Sequence, residues 1–147
     1  MYKGARAAVL ASQQSQSTIK TLVLVSYPMI GAQKGDSREQ ILLDLPENVD
    51  VLFISGSKDS MCPIKKLQEV IAAMKARSWL VVVESADHGM NVSPKTATQA
   101  MVRRTGALAA EWLKDRDEGK RHCSLSWISA ERKVVRSDWQ SDPIGTA

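Results

Sequence analysis

The chain has 147 residues, 44% hydrophobic and 24% charged, the composition of an ordinary globular protein with enough length to bury a sizeable core. No apolar run approaches the ~18 residues that a membrane span requires. Twenty Lys and Arg against 16 Asp and Glu leave a net charge of +4. Split after Asp115, the first part carries 14 basic and 11 acidic groups and the remainder 6 and 5, so neither part has the basic stripe of a nucleic-acid binder.

Residues 5–14 are rich in helix formers, and Gln13-Gln14-Ser15-Gln16-Ser17 marks a polar turn. Thr21-Leu22-Val23-Leu24-Val25 is a short apolar run, expected to form a strand buried on both faces. Tyr27-Pro28 and a Gly31/Gly35 loop lead to a short helix expected from Arg38 to Leu45, ending before Pro46. Val51-Leu52-Phe53-Ile54 is the second buried run. Pro63 then suits a first helical turn, and Ile64, Leu67, Val70, Ile71 and Met74 follow on one face of that helix. Trp79-Leu80-Val81-Val82-Val83 is the third run. After it, Ser93 and Pro94 read as the N-cap and first residue of a helix that aligns Met101, Thr105, Leu108 and Trp112 and ends near Lys114. Strands and helices alternating at these lengths imply right-handed βαβ units, hence an α/β domain over residues 1–115 with a parallel sheet between helical layers. From Arg116 onward the periodicity is lost, and residues 116–147 are expected to be a flexible tail.

Met1 to Arg6 followed by Ala7 to Ala11 resembles the start of a signal peptide, but its apolar stretch is too short. Lys3, Arg6 and the lack of any acid before Asp36 also suggest a mitochondrial presequence, a reading that yields to the structural one. Cys62 and Cys123 lie far apart in no metal-ligand spacing and read as free thiols of a reducing compartment. The expected location is the cytoplasm, with the nucleus as the alternative.

In an open parallel sheet, ligands bind outside the carboxyl ends of the strands. The second run leads to Ser55-Gly56-Ser57-Lys58-Asp59-Ser60-Met61-Cys62-Pro63, and the third to Glu84-Ser85-Ala86-Asp87-His88-Gly89-Met90. Asp59 and His88 therefore leave successive strand ends, where the carboxylate can orient the imidazole and stabilise its charged form. The plainer reading makes Asp59 a turn cap and His88 a surface histidine; their paired placement favours the chemical one. Cys62 is a substitute nucleophile only if its thiol is activated, and a buried structural thiol is the stronger reading. Asp87 beside His88 lacks a third ligand at useful spacing, so metal binding is set aside. With no dinucleotide fingerprint or phosphate-binding loop, no cofactor is implied.

These two segments resemble the acid and histidine segments of the α/β-hydrolase fold. More narrowly, Ser26-Tyr27-Pro28, Leu43-Asp44-Leu45-Pro46, Val51 to Cys62 and His88-Gly89-Met90 resemble the group containing testis-expressed protein 30 and NSL complex subunit 3. The resemblance covers about residues 4–114. It implies a nucleophile in Gly-x-Ser-Met-Gly-x-Arg-Ala-Ala, of which Gly4-Ala5-Arg6-Ala7-Ala8 matches the second half. The serine position falls on Tyr2 and the next residue on Lys3, so the nucleophile is absent and the loop that completes the oxyanion hole is absent too.

The resemblance thus implies the later part of an α/β hydrolase, whose full-length form would hydrolyse an ester, thioester or amide with His88 as general base and acid and Asp59 orienting it. The chain as given is expected to be inactive. The first strand would be an exposed parallel edge, a place for self-association or for a protein partner. Two explanations are a native protein that continues upstream, which the mid-motif start favours, and a shortened relative. The alternative function is a non-catalytic interaction module or pseudo-hydrolase subunit of a larger, chromatin-type complex.

Overall fold

The computed structural model describes residues 3–13, 18–30 and 38–142. Most of the Gln13–Ser17 turn, the Gly31/Gly35 loop and Tyr2 lie outside the described residues. The sheet is built outward from its most apolar strands. Strand β2 (Asp50–Gly56) is buried at every residue and β3 (Arg77–Val83) at every residue after Arg77, as runs with apolar side chains on both faces require. Strand β1 (Thr21–Val25) is different: Leu22 and Leu24 are buried, whereas Thr21, Val23 and Val25 are only half-buried. The expectation of burial on both faces is corrected there, because β1 stands at the end of the strand order β1-β2-β3-β4-β5.

The period-2 alternation of the strands divides the core in two. Helices α1 (Lys3–Ser12), α2 (Gln40–Leu43) and α3 (Ile64–Ala73) set Val9, Leu42, Leu67, Val70 and Ile71 against Leu24, Val51, Phe53, Leu80 and Val82 on one face. Helix α4 (Lys95–Lys114) covers the other, packing Ala97, Met101, Leu108 and Trp112 on Leu52, Ile54, Trp79, Val81 and Val83. Trp79 and Trp112 meet edge to face at 5.4 Å. Two details of α4 depart from expectation. No side chain caps its start, where the Pro94 carbonyl accepts from the Ala97 amide at 2.9 Å, and Thr105 is only half-buried, its hydroxyl donating to the Met101 carbonyl.

The larger correction concerns residues 116–147. Instead of a flexible tail, this segment carries β4 (His122–Ile128) and β5 (Lys133–Arg136). Strands β1 to β4 are parallel, and β5 returns antiparallel to β4. The missed signal is alternation: Cys123 and Leu125 are buried and Trp127 packs against the same core, while the intervening serines face away. Polar spacers made that strand look like a solvated segment.

An ionic cluster ties the added strands to the base of the sheet. Asp50 accepts from Arg77 Nε at 2.7 Å and Nη2 at 2.9 Å, and from Arg116 Nε at 2.7 Å. Arg116 also reaches Thr21 Oγ1, and Arg121 donates to the Ser78 carbonyl while lying 4.5 Å over the Trp79 ring. One carboxylate thus links β1, β2, β3 and the segment after α4.

Two outcomes follow. Leu125→Ala should lower unfolding free energy by about 2–5 kcal/mol in urea titration, since Leu125 is fully buried; a flexible tail would give almost no change. Burial pushes the Asp50 carboxyl up, but the hydrogen bonds and charges of Arg77 and Arg116 outweigh it and hold the group below its ordinary value. A depressed folded value means that the unfolded chain takes up the proton first. The contribution of Asp50 is therefore complete above the ordinary aspartate pKa of about 4 and is lost as pH falls below it, a slope that Asp50→Asn should flatten.

Candidate active site

Two loops leave the carboxyl ends of β2 and β3 side by side, because the strands pair in register up to Gly56↔Val83. The Ser57 amide donates to the Val83 carbonyl at 3.0 Å, the Lys58 amide to the Ala86 carbonyl at 2.9 Å, and the Ser85 amide to Ser57 Oγ at 2.7 Å. Gly56 permits this approach: a Cβ there would stand 2.2 Å from the Ala86 carbonyl oxygen. The loops are therefore one welded unit.

Within it, Asp59 and His88 meet. His88 Nδ1 lies 2.9 Å from Asp59 Oδ2, and Asp59 Oδ1 accepts from the Met61 amide at 2.9 Å. The carboxylate side chain is fully buried, while the imidazole keeps 23% of its surface exposed. Where the carboxylate is the acceptor, Nδ1 carries the proton of this bond and the neutral tautomer leaves its lone pair on Nε2. Asp59 thus closes its own turn through Oδ1 and meets the imidazole through Oδ2. A buried carboxylate beside a partly exposed imidazole can orient that ring as a general base and stabilise the imidazolium it becomes.

Neighbouring groups take lesser parts. Cys62 is fully buried and burial pushes its thiol up to about 11, so it stays protonated at neutral pH and makes a poor nucleophile. Ser26 closes β1 with a left-handed φ of 54°, its amide bonded to the Ile54 carbonyl, and the Tyr27 hydroxyl donates to the Arg38 carbonyl at 2.7 Å. Burial raises the Tyr27 phenol well above its ordinary value.

Asp87, weighed as a metal ligand, turns its carboxylate onto backbone. Oδ1 accepts from the Gly89 and Asn91 amides, each at 2.9 Å. Among the described residues no three His, Cys, Asp or Glu side chains group as a metal site. Two features escaped the sequence reading: the close approach at Gly56 and this turn-closing role of Asp87. An Asp four residues before an Asn in a loop carries some signal for the second, whereas a glycine after a strand says little about what it faces.

A family model described as an alpha/beta hydrolase domain matches residues 2–114, which takes in both loops and stops at the end of α4. No solved structure matches the chain.

Gly56→Ala should force the two loops apart. The expected cost is about 1–3 kcal/mol of unfolding free energy from overpacking, with loss of the His88–Asp59 hydrogen bond in the imidazole proton spectrum.

Proposed function

The chain belongs to the alpha/beta hydrolase domain family, and on that premise we propose that Asp59 and His88 are the acid–base half of a serine-type acyl-transfer centre. The observation that carries the proposal is the 2.9 Å contact between His88 Nδ1 and a buried Asp59 carboxylate at the carboxyl ends of neighbouring strands. In this reading His88 Nε2 takes the proton of a serine hydroxyl as that oxygen attacks an ester, thioester or amide carbonyl. It then gives the proton to the leaving group, and a water repeats the cycle to release the acid. Asp59 orients the ring and stabilises its cationic form.

In this reading the serine and the oxyanion donors are not drawn from residues 1–147. Residues 1–147 contain no Gly-x-Ser-x-Gly, and the elbow pattern ending in Gly4-Ala5-Arg6-Ala7-Ala8 sets the nucleophile position on Tyr2. Within the family, Ser26-Tyr27-Pro28 and Leu43-Asp44-Leu45-Pro46 support placement with testis-expressed protein 30 and NSL complex subunit 3. Among the described residues no helix is long and apolar enough to cross a membrane, and the free thiols of Cys62 and Cys123 support the cytoplasm as the proposed location.

A second reading, a non-catalytic interaction module, is favoured by one observation. The outer side of β1 pairs with no strand among the described residues and its sequence, Thr21 to Val25, has no charge. The opposite edge, β5, is four residues long and carries Lys133 and Arg136, as protected edges do. In this reading Asp59 and His88 are remnants, and Val23→Lys should release a chain that co-purifies through β1.

A serine-directed fluorophosphonate decides between them. It should leave the polypeptide of residues 1–147 unlabelled, and should label a native protein whose amino-terminal peptide places Gly-x-Ser before Gly4. There, His88→Ala should lower kcat by about 10²–10⁴ with KM little changed. An unlabelled native protein that does carry Gly-x-Ser would sink the hydrolase reading.

A further inference from the structure

The chain leaving β3 is anchored at two places. Ala86 is fully buried, its carbonyl held by the Lys58 amide and hard against Gly56. Met90 and Val92, 8% and 9% exposed, re-enter the core beneath α4. His88 rides on the short stretch between them, and left-handed residues flank it: Ser85 just before Ala86 and Met90 at the second anchor have φ of 67° and 63°. Such a stretch keeps one shape only if its surroundings determine it.

Across the histidine, the Asp87 side chain does this. Asp87 Oδ1 accepts from the Gly89 amide and the Asn91 amide, with Asn91 Nδ2 at 3.4 Å, so it spans the residues on the far side of the histidine. Its backbone completes the closure, the amide donating to the Asn91 carbonyl and the carbonyl accepting from the Met90 amide. Packing inside the turn is tight: a Cβ at Gly89 would come within 2.8 Å of Asn91 Nδ2 and 3.5 Å of Asp87 Oδ1. The Asn91 amide, ahead of the Gly89 amide, holds the Asp87 carboxyl below its ordinary range, so the anion persists through neutral pH. Asp59 holds the ring of His88 and Asp87 holds the backbone that carries it.

We infer that Asp87 is a positioning residue for His88, keeping the imidazole against Asp59 through the hydrogen bonds its carboxylate accepts from the Gly89 and Asn91 amides. The inference rests on the acyl-transfer reading for its purpose, since an aimed imidazole matters there as the general base. It deepens that reading by separating two acidic residues of unlike role. The action is geometric: what counts is an acceptor at the position of Oδ1, with or without a negative charge.

Two variants of the full 147-residue chain separate acceptor from charge. Asp87→Asn keeps a carbonyl oxygen at the same reach and removes the charge; Asp87→Glu keeps the charge and moves the acceptor outward by one methylene. The probe is the His88 Nδ1 proton, read by nitrogen-edited proton spectroscopy and told from His122 by its loss in His88→Gln. In the parent chain it should appear as a downfield, slowly exchanging resonance. Asp87→Asn should keep it, whereas Asp87→Glu should lose it or speed its exchange at least about tenfold, as local opening of the turn does. Retention in both variants overturns the inference, because Asp87 then supports the loop without aiming the ring. Loss in Asp87→Asn overturns it too, as does absence of the resonance from the parent chain. The spectrum needs no acyl transfer, so this outcome stands apart from fluorophosphonate labelling, which judges the hydrolase reading.

Discussion

Because β2 and β3 pair from Asp50↔Arg77 to Gly56↔Val83, the loops that follow them start at the same height and run together. That register, with the absence of a side chain at Gly56, is the constraint on which the site depends. A slip of one residue would turn β2 inside out, sending Leu52 and Ile54 to the face of α3 and Val51 and Phe53 to the face of α4. It would also carry Asp59 away from His88. Burial on both faces of the two strands makes such a slip costly, so the packing of the core and the geometry of the site are set by the same pairing.

The main features of this arrangement were legible in the chain because they are periodic. Three apolar runs and two amphipathic helices with Leu67, Val70 and Ile71 or Met101, Leu108 and Trp112 on one face define the α/β layers, and these are the residues that the core contains. Placement of Asp59 and His88 was legible for a topological reason, since residues just after parallel strands gather at one end of the sheet. Distances were not. Nothing in the residue string says that the Ala86 carbonyl fills the space beside Gly56, or that Asp87 faces amides and not the imidazole. The strands after Arg116 were missed for another reason: Cys123, Leu125 and Trp127 alternate with His122, Ser124 and Ser126, a pattern too short and too polar to stand out beside Trp79 to Val83.

Those carboxyl-terminal strands matter for the site even though they lie beyond the residues that match the family. Strand β4 pairs along β3 from Leu80↔His122 to Val83↔Leu125, and the Glu84 amide continues the ladder to the Leu125 carbonyl. The strand that delivers His88 is therefore held on both sides up to the point where its loop begins. At the other end of the sheet, Arg116 and Arg121 clamp the same two central strands through Asp50, Ser78 and Trp79. A loop can aim a side chain only as well as its root is held. Asp59 and His88 stand on a root fixed at both ends, while the half-buried side chains and the edge left unpaired among the described residues belong to β1. Order in the sheet is thus concentrated under the two loops that bring Asp59 and His88 together.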